Sequence, residues 1–163
     1  GPCAAKKLEA SRRSVRSEVD FVLTFEELMG LFEAKQVNFA ELPDNPEDAF
    51  HSASADARGF ATSGGVAQAV VNAIKKMDPD REVKVASAQG LAECKKLMTM
   101  AKAGKYNGYL LEGMACPGGC IAGAGTLADP AKSIAMLNKY KAEAEMKVAT
   151  ETPFQDSLAL LHY

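Results

Sequence analysis

The residues best suited to chemistry are cysteines, and two of the four in the chain lie close together. Cys116 and Cys120 are separated by Pro-Gly-Gly, and Cys3 lies near the first residue. Glycines permit left-handed turns and let the backbone approach a bulky ligand. We therefore expect the N–H groups of Gly118 and Gly119 to face the two sulfur atoms, where they would stabilise thiolates or an anionic cluster.

Residue types alone leave three interpretations of this pair open. A dithiol redox site normally has two residues between its cysteines, whereas three separate Cys116 from Cys120. A zinc knuckle needs two further ligands, for which the sequence offers Cys94, His51 and His162 besides Cys3. A glycine-rich turn with two buried, unliganded cysteines is the third interpretation, since cysteine is among the most buried residue types.

The segments around these residues alternate between helical and extended patterns. Apolar spacing and helix-forming residues predict helices over 4–17, 26–35, 64–77, 91–104 and 129–146. Short β-rich runs predict strands over 20–24, 82–86 and 109–111. A polar loop is expected over 36–58 and an amphipathic segment over 153–163. Strands separated by helices favour an α/β fold, a layered sheet of about four mostly parallel short strands flanked by helices.

Composition narrows the classes of protein and partner. The chain has 163 residues, 47% of them hydrophobic and 25% charged, which is typical of one folded domain or a part of one. A net charge of −2 argues against a nucleic-acid partner. No apolar run is long enough for a membrane span, and no secretory signal is recognisable. We therefore expect a cytoplasmic protein, and in that reducing compartment a close cysteine pair favours metal or redox chemistry.

Four segments together resemble one known family. The segment 112–125, EGMACPGGCIAGAG, resembles the last of three cysteine signatures of the iron-only, or [FeFe], hydrogenases. The opening, GPCAAKKLE, is similar to their middle signature, and 58–74 to their glycine-rich segment before a helix. The stretch 19–28 resembles the strand and helix that come after the middle signature in that family. The resemblance implies that 1–163 is the C-terminal portion of the hydrogenase H-cluster domain, one lobe of the larger catalytic domain.

The resemblance implies an oxidoreductase that interconverts protons, electrons and dihydrogen. Its cofactor would be the H-cluster, a 4Fe–4S cluster joined through one cysteine to a diiron unit that carries CO and cyanide. Cys3, Cys116 and Cys120 match three of the four metal ligands, and Cys120 matches the bridging one. The redox partner implied is ferredoxin or an upstream iron–sulfur domain.

Other positions match residues around the diiron unit. Lys6 matches the lysine that donates a hydrogen bond to cyanide, and an ammonium is a strong donor to such an anion. Glu9, three residues further along a helix, can hold that ammonium. Met114 matches a methionine that lines the pocket, where a thioether is soft and apolar. Phe60 and Ser63 match pocket-wall positions.

The sequence departs from the family pattern at three places. The opening signature, T-S-C-C-P, is absent, so the chain carries three of the four cluster cysteines. Gly1 stands where many members have methionine, and the last signature continues GAGTL over 123–127 instead of G-G-G-Q-P. We expect the isolated chain to hold no H-cluster and to be inactive. Its partner would be the missing N-terminal half of the domain. That half would cover an exposed apolar edge beside the cysteines.

Two alternatives to a catalytic hydrogenase stay open. One is a non-catalytic, hydrogenase-like iron–sulfur protein that acts in sensing or cluster assembly. The other is a small zinc-binding α/β module. Cys94 matches none of the signatures, and its place in an amphipathic helix predicts a packing residue. The two histidines have no partner at ligand spacing, so we expect surface or capping roles.

Overall fold

The computed structural model describes residues 1–12, 14, 18–43, 45, 53–154 and 156–157. Strands and helices alternate as predicted only from residue 84 to residue 142, and the described residues hold two strands where about four were expected. The helices are α1 (Ala4–Ser11), α2 (Phe25–Ala34), α3 (Ala55–Arg58), α4 (Gly65–Met77), α5 (Leu91–Lys102) and α6 (Pro130–Ala142). The strands are β1 (Lys84–Gln89) and β2 (Tyr109–Met114). The α/β class is therefore confirmed.

The two strands form a parallel sheet around which the site is built. Lys84 pairs with Tyr109 at one end and Gln89 with Met114 at the other, and α5 makes the crossover between them. Parallel strands place their carboxyl ends at the same edge, where α/β proteins commonly bind ligands. The segment from Cys116 to Cys120, here named the cysteine turn, follows β2 and therefore begins at this edge.

The strand predicted over 20–24 is not present. These residues have no regular secondary structure and lie in no sheet of the described chain. Their carbonyl groups find other donors: the amino terminus of Gly1 donates to Leu23 O at 2.8 Å, and Lys7 Nζ to Val22 O at 3.0 Å. These two carbonyl groups are therefore hydrogen-bonded without a neighbouring strand.

Helix ends obey capping chemistry where the sequence offers it. Thr24 and Glu27 form a capping box at the start of α2, and Asp129 caps α6 with Pro130 at its first position. Helix α1 ends at Ser11, earlier than predicted, and residues 13 and 15–17 lie outside the described residues. So do residues 44 and 46–52 of the predicted loop and most of 153–163, whereas α3 forms within that loop.

The buried apolar core is small and is built mainly from short side chains. Its members in the described residues are Ala67, Ala69, Val71, Leu97 and Ala144. Large apolar side chains are exposed instead on the segment that leads into α2 and on α2 itself; Phe21 is 85% exposed and Leu31 49%. No helix among the described residues has both the length and the apolar character needed to cross a membrane.

A candidate cysteine site at the carboxyl end of the sheet

The cysteine turn is a tight, glycine-dependent reversal of the chain. Gly118 and Gly119 have φ angles of 87° and 100°, a region that glycine adopts readily. The turn is closed by the Gly119 N–H, which donates to Cys116 O at 2.9 Å. Cys116 is half-buried, and Cys120 is exposed at the start of the short 3-10 turn Cys120–Ala122.

The two glycine N–H groups do not face the sulfur atoms, so that expectation is wrong for this structure. The Gly118 N–H donates to Gln89 Oε1 at 2.7 Å, and the Gly119 N–H is used by the turn itself. The physical reason is that Gln89 ends β1 next to the turn and offers a carbonyl oxygen that competes for the donor.

The predicted pocket-wall segment contacts the cysteine turn. A Cβ atom added to Gly119 would lie 2.5 Å from both Ala61 O and Ser63 N. The Ser63 N–H donates to Gly118 O at 3.1 Å. Phe60, in the turn Gly59–Ala61, is 46% exposed. The structure therefore brings this segment and the cysteine turn together, and only glycine fits at position 119.

The first residues of the chain lie on the segment just after Cys120. The Gly125 N–H donates to Pro2 O at 3.1 Å, and the Phe25 N–H donates to Gly125 O at 3.2 Å. Gly123 is also packed against Pro2, so close that a side chain there would clash. Cys3, the next residue, is half-buried at the start of α1 and unpaired. Backbone contacts thus join two segments that lie more than a hundred residues apart in the sequence.

Lys6 and Glu9 form an ion pair on α1 that lies within reach of the cysteines. Lys6 Nζ is 2.7 Å from Glu9 Oε2, and the side chains are 59% and 43% exposed. The hydrogen bond and charge of Glu9 raise the pKa of Lys6, and the charges of Cys3 and Cys120 raise it further. Lys6 and Cys3 also line the same surface cleft.

Met114 and Cys94 lie behind the turn, within the sheet layer. Met114 is half-buried as the last residue of β2, and its carbonyl oxygen accepts a hydrogen bond from the Gly90 N–H at 2.8 Å. Cys94 Sγ lies 3.6 Å from Ala88 O and 3.5 Å from Met114 O, in agreement with a packing role. His51 and His162 lie outside the described residues.

Sequence reasoning missed two residues that touch this site. Gln89 holds Gly118, and Glu112 on β2 accepts hydrogen bonds from the Gly64 and Ala67 N–H groups. Each had a signal in the sequence. Gln89 follows the strand predicted over 82–86 by three residues and ends the observed strand β1, and Glu112 is a charged residue inside the short apolar run YLLEGM.

An apolar cavity of about 660 Å³ adjoins Cys120. One wall is the exposed face of α2, and the other runs along the cysteine turn. Apolar side chains from these two walls line it: Phe25, Leu28, Met29, Phe32, Ile121 and Leu127. The cavity continues the exposed apolar surface of residues 19–31 toward the cysteines.

The thiols suit iron–sulfur chemistry in type but do not form a complete ligand set. Soft thiolates favour zinc or iron–sulfur clusters over harder metals. Across the described residues, no three Cys, His, Asp or Glu side chains are grouped closely enough to hold a metal ion. A cubane takes four cysteines, and the three candidates here leave one position for a ligand from elsewhere.

Comparison with known proteins assigns the family. The family model for the C-terminal domain of the iron-only hydrogenase large subunit matches residues 1–124. The chain belongs to the iron-only hydrogenase family. The matched range holds every candidate site residue, from Cys3 to Cys120, and supports the resemblance of the cysteine signatures.

Relatives of this family member include enzymes and a protein named for another process. The chain is 32% identical over 155 residues to the periplasmic [Fe] hydrogenase large subunit of Nitratidesulfovibrio vulgaris, covering 76% of this chain and 37% of that one. It is 29% identical over 188 residues to cytosolic iron-sulfur assembly component 3 of Mus musculus, covering 93% of this chain and 40% of the relative.

The hydrogenase fold is shared with solved structures. The chain matches [FeFe]-hydrogenase HydA1 from Chlamydomonas reinhardtii with a TM-score of 0.61 at 22% identity. The match covers 99% of this chain and 57% of that chain. The chain thus spans less than two thirds of the length of these curated relatives and of this solved structure.

Proposed function

We propose that this chain forms the C-terminal part of the catalytic site of an [FeFe] hydrogenase, which reversibly reduces protons to dihydrogen. The observation that carries the proposal is the contact between Pro2 and the segment Gly123–Gly125. It brings the middle and last cysteine signatures together across the whole matched range.

In this proposal, Cys3, Cys116 and Cys120 would hold the H-cluster, with Cys120 in the position that matches the bridging ligand. The H-cluster, when bound, supplies the redox chemistry of protons, electrons and dihydrogen. A fourth cysteine comes from protein outside this chain, so the isolated chain lacks activity. The exposure of Cys120 and the half-burial of Cys116 suit a bridging and a supporting ligand, respectively.

The remaining site residues bind, orient or exclude water. Lys6 donates a hydrogen bond to an anionic ligand of the cluster, and Glu9 keeps the ammonium oriented on α1. Met114 and Phe60 form apolar walls that exclude water from the site. Ser63 acts through its backbone, because its N–H fixes the Gly118 carbonyl and with it the glycine turn.

The exposed surface indicates which partners we propose. The apolar cavity beside Cys120 and the face of α2 bind the remaining part of the hydrogenase domain, and burial of such side chains drives association. Ferredoxin or an upstream iron–sulfur domain delivers electrons. A cytoplasmic location is supported by four unpaired cysteines, which suit a reducing compartment; fractionation of cells that express the protein tests it.

A second candidate is a non-catalytic iron–sulfur protein. It is favoured by the relatives named cytosolic iron-sulfur assembly component 3: the sequence match to the mouse protein covers 93% of this chain, and that to the Nitratidesulfovibrio vulgaris hydrogenase covers 76%. The departures at 123–127 also fit a branch without catalysis. A zinc module has less support, because the family model that matches residues 1–124 is that of the iron-only hydrogenases.

Infrared spectroscopy separates these candidates. The protein is purified anaerobically in the longest form that its cells make, and is examined for CO and cyanide bands and for iron and zinc content. If the protein is a catalytic hydrogenase, we expect both bands, and we expect it to reduce protons to dihydrogen with electrons from a reduced dye. Iron without these bands supports the non-catalytic candidate. Stoichiometric zinc without iron contradicts both.

A further inference from the structure

A buried carboxylate on β2 caps the helix next to the cysteine turn. Glu112 is 8% exposed, and its two carboxylate oxygens accept from the Gly64 N–H at 2.6 Å and the Ala67 N–H at 3.1 Å. Gly64 is the N-cap residue of α4 and has no side chain to cap with. Glu112 therefore supplies, from another element, the acceptor that a helix start normally takes from its own N-cap.

This cap lies one residue from the segment that contacts the cysteine turn. Ser63, which precedes Gly64, donates its N–H to Gly118 O at 3.1 Å, and Gly119 packs directly on Ala61 and Ser63. A movement of Gly64 away from Glu112 must therefore shift the backbone that holds Gly118 and Gly119. The negative charge of Glu112 at the positive end of α4 strengthens this anchor.

A second side chain of the sheet holds the turn from its other side. Gln89, at the carboxyl end of β1, accepts a hydrogen bond from the Gly118 N–H at 2.7 Å. Both polar backbone groups of Gly118 are thus occupied, its N–H by Gln89 and its carbonyl oxygen by Ser63. Gln89 and Glu112 reach these positions from paired strands, the most regular part of the described chain.

We propose that Glu112 and Gln89 are positioning residues that fix the turn between Cys116 and Cys120. Neither acts on a reacting atom; they act through Gly118 and its neighbours, and so set how accessible the two thiols are. The geometry stands in the metal-free chain. This inference rests on the proposed function only where it treats the two thiols as metal ligands.

Thiol alkylation in the metal-free full chain tests this role. Rates of carbamidomethylation by iodoacetamide are measured separately for the four cysteines by peptide mass spectrometry. Glu112→Gln keeps one acceptor oxygen and faces the other N–H with an amide donor, and Gln89→Ala removes the acceptor of Gly118. Loss of a hydrogen bond of this kind predicts an approximately tenfold faster reaction at half-buried Cys116. Cys94 should change less than about twofold.

Glu82→Gln is the matched control, because Glu82 is an exposed glutamate just before β1, at the end of that strand opposite Gln89 and the cysteine turn. It should leave all four rates unchanged. Equal acceleration at all four cysteines would show general destabilisation and overturn the proposal, as would unchanged rates in both variants. If circular dichroism shows that Glu112→Gln does not fold, the rates in Gln89→Ala decide the outcome, because Gln89 is exposed. Failure of the protein to bind iron in the longest form that its cells make would overturn the proposed function and leave this result standing.

Discussion

Replacement of Gly119 by alanine measures how tightly the cysteine turn is packed on the glycine-rich segment. Gly119→Ala adds a Cβ atom 2.5 Å from Ala61 O and Ser63 N, at a φ angle of 100°. The backbone strain costs about 1–2 kcal/mol, and overpacking against atoms that cannot move independently adds about 1–3 kcal/mol. We expect a total loss of about 3 kcal/mol in the free energy of unfolding.

Gly90→Ala is the control, because Gly90 has a backbone conformation similar to that of Gly119, with φ 84° and ψ 145° against 100° and −173°. Its added Cβ meets only Pro117 Cγ, at an ordinary contact distance of 3.8 Å. Thermal unfolding followed by circular dichroism should show a Tm lower by roughly 6–12 °C for Gly119→Ala and by roughly 3–6 °C for Gly90→Ala. The two variants introduce similar strain and differ in the close contact. Equal decreases in Tm would refute the close approach of the two segments.

Three further predictions concern elements that support the site. Gly30→Ala, within α2 and with open space around its Cβ, should raise the free energy of unfolding by about 0.5–1 kcal/mol in urea titrations. Hydrogen bonds from Lys7 and the Thr24 backbone lower the pKa of Glu27, so its stabilising effect is present at neutral pH and lost as the pH falls below its ordinary 4.5; Glu27→Gln should flatten that acid-side loss, and an unchanged pH profile would contradict it. Arg58→Ala should cost about 2–4 kcal/mol, because buried Arg58 donates to Tyr140 O at 2.7 Å and its guanidinium lies 3.9 Å from the ring centroid of that residue; a loss below about 1 kcal/mol by chemical denaturation would show that this contact is dispensable.

Local patterns in the sequence predicted most elements of the fold. Helices α2, α4, α5 and α6 begin within a residue or two of their predicted starts, because capping residues and apolar spacing are local signals. The run at 20–24 failed as a strand, since strand formation needs a partner that local composition does not reveal. Its carbonyls instead bind the amino terminus and Lys7.

The candidate site was predictable where side chains carry the signal, and not where backbone contacts do. The cysteines and Lys6 were recognisable by type and spacing, and the family match covers them. The direction of the Gly118 N–H group was not, because it depends on Gln89, which is distant in sequence. Glu112 was visible as a charge in an apolar strand, but its partners on α4 required the three-dimensional structure.

Metal content after anaerobic reconstitution tests the central claim, which is that Cys3, Cys116 and Cys120 serve one iron–sulfur site. Iron, sulfide and zinc are counted per chain after incubation with iron and sulfide, in the unmodified protein and in Cys3→Ala, Cys116→Ala, Cys120→Ala and Cys94→Ala. The account predicts about four irons in the unmodified chain and in Cys94→Ala, with an external thiol or water at the fourth position, and loss of iron in the other three variants. One stoichiometric zinc without iron, or iron that persists when Cys3 is removed, would contradict it.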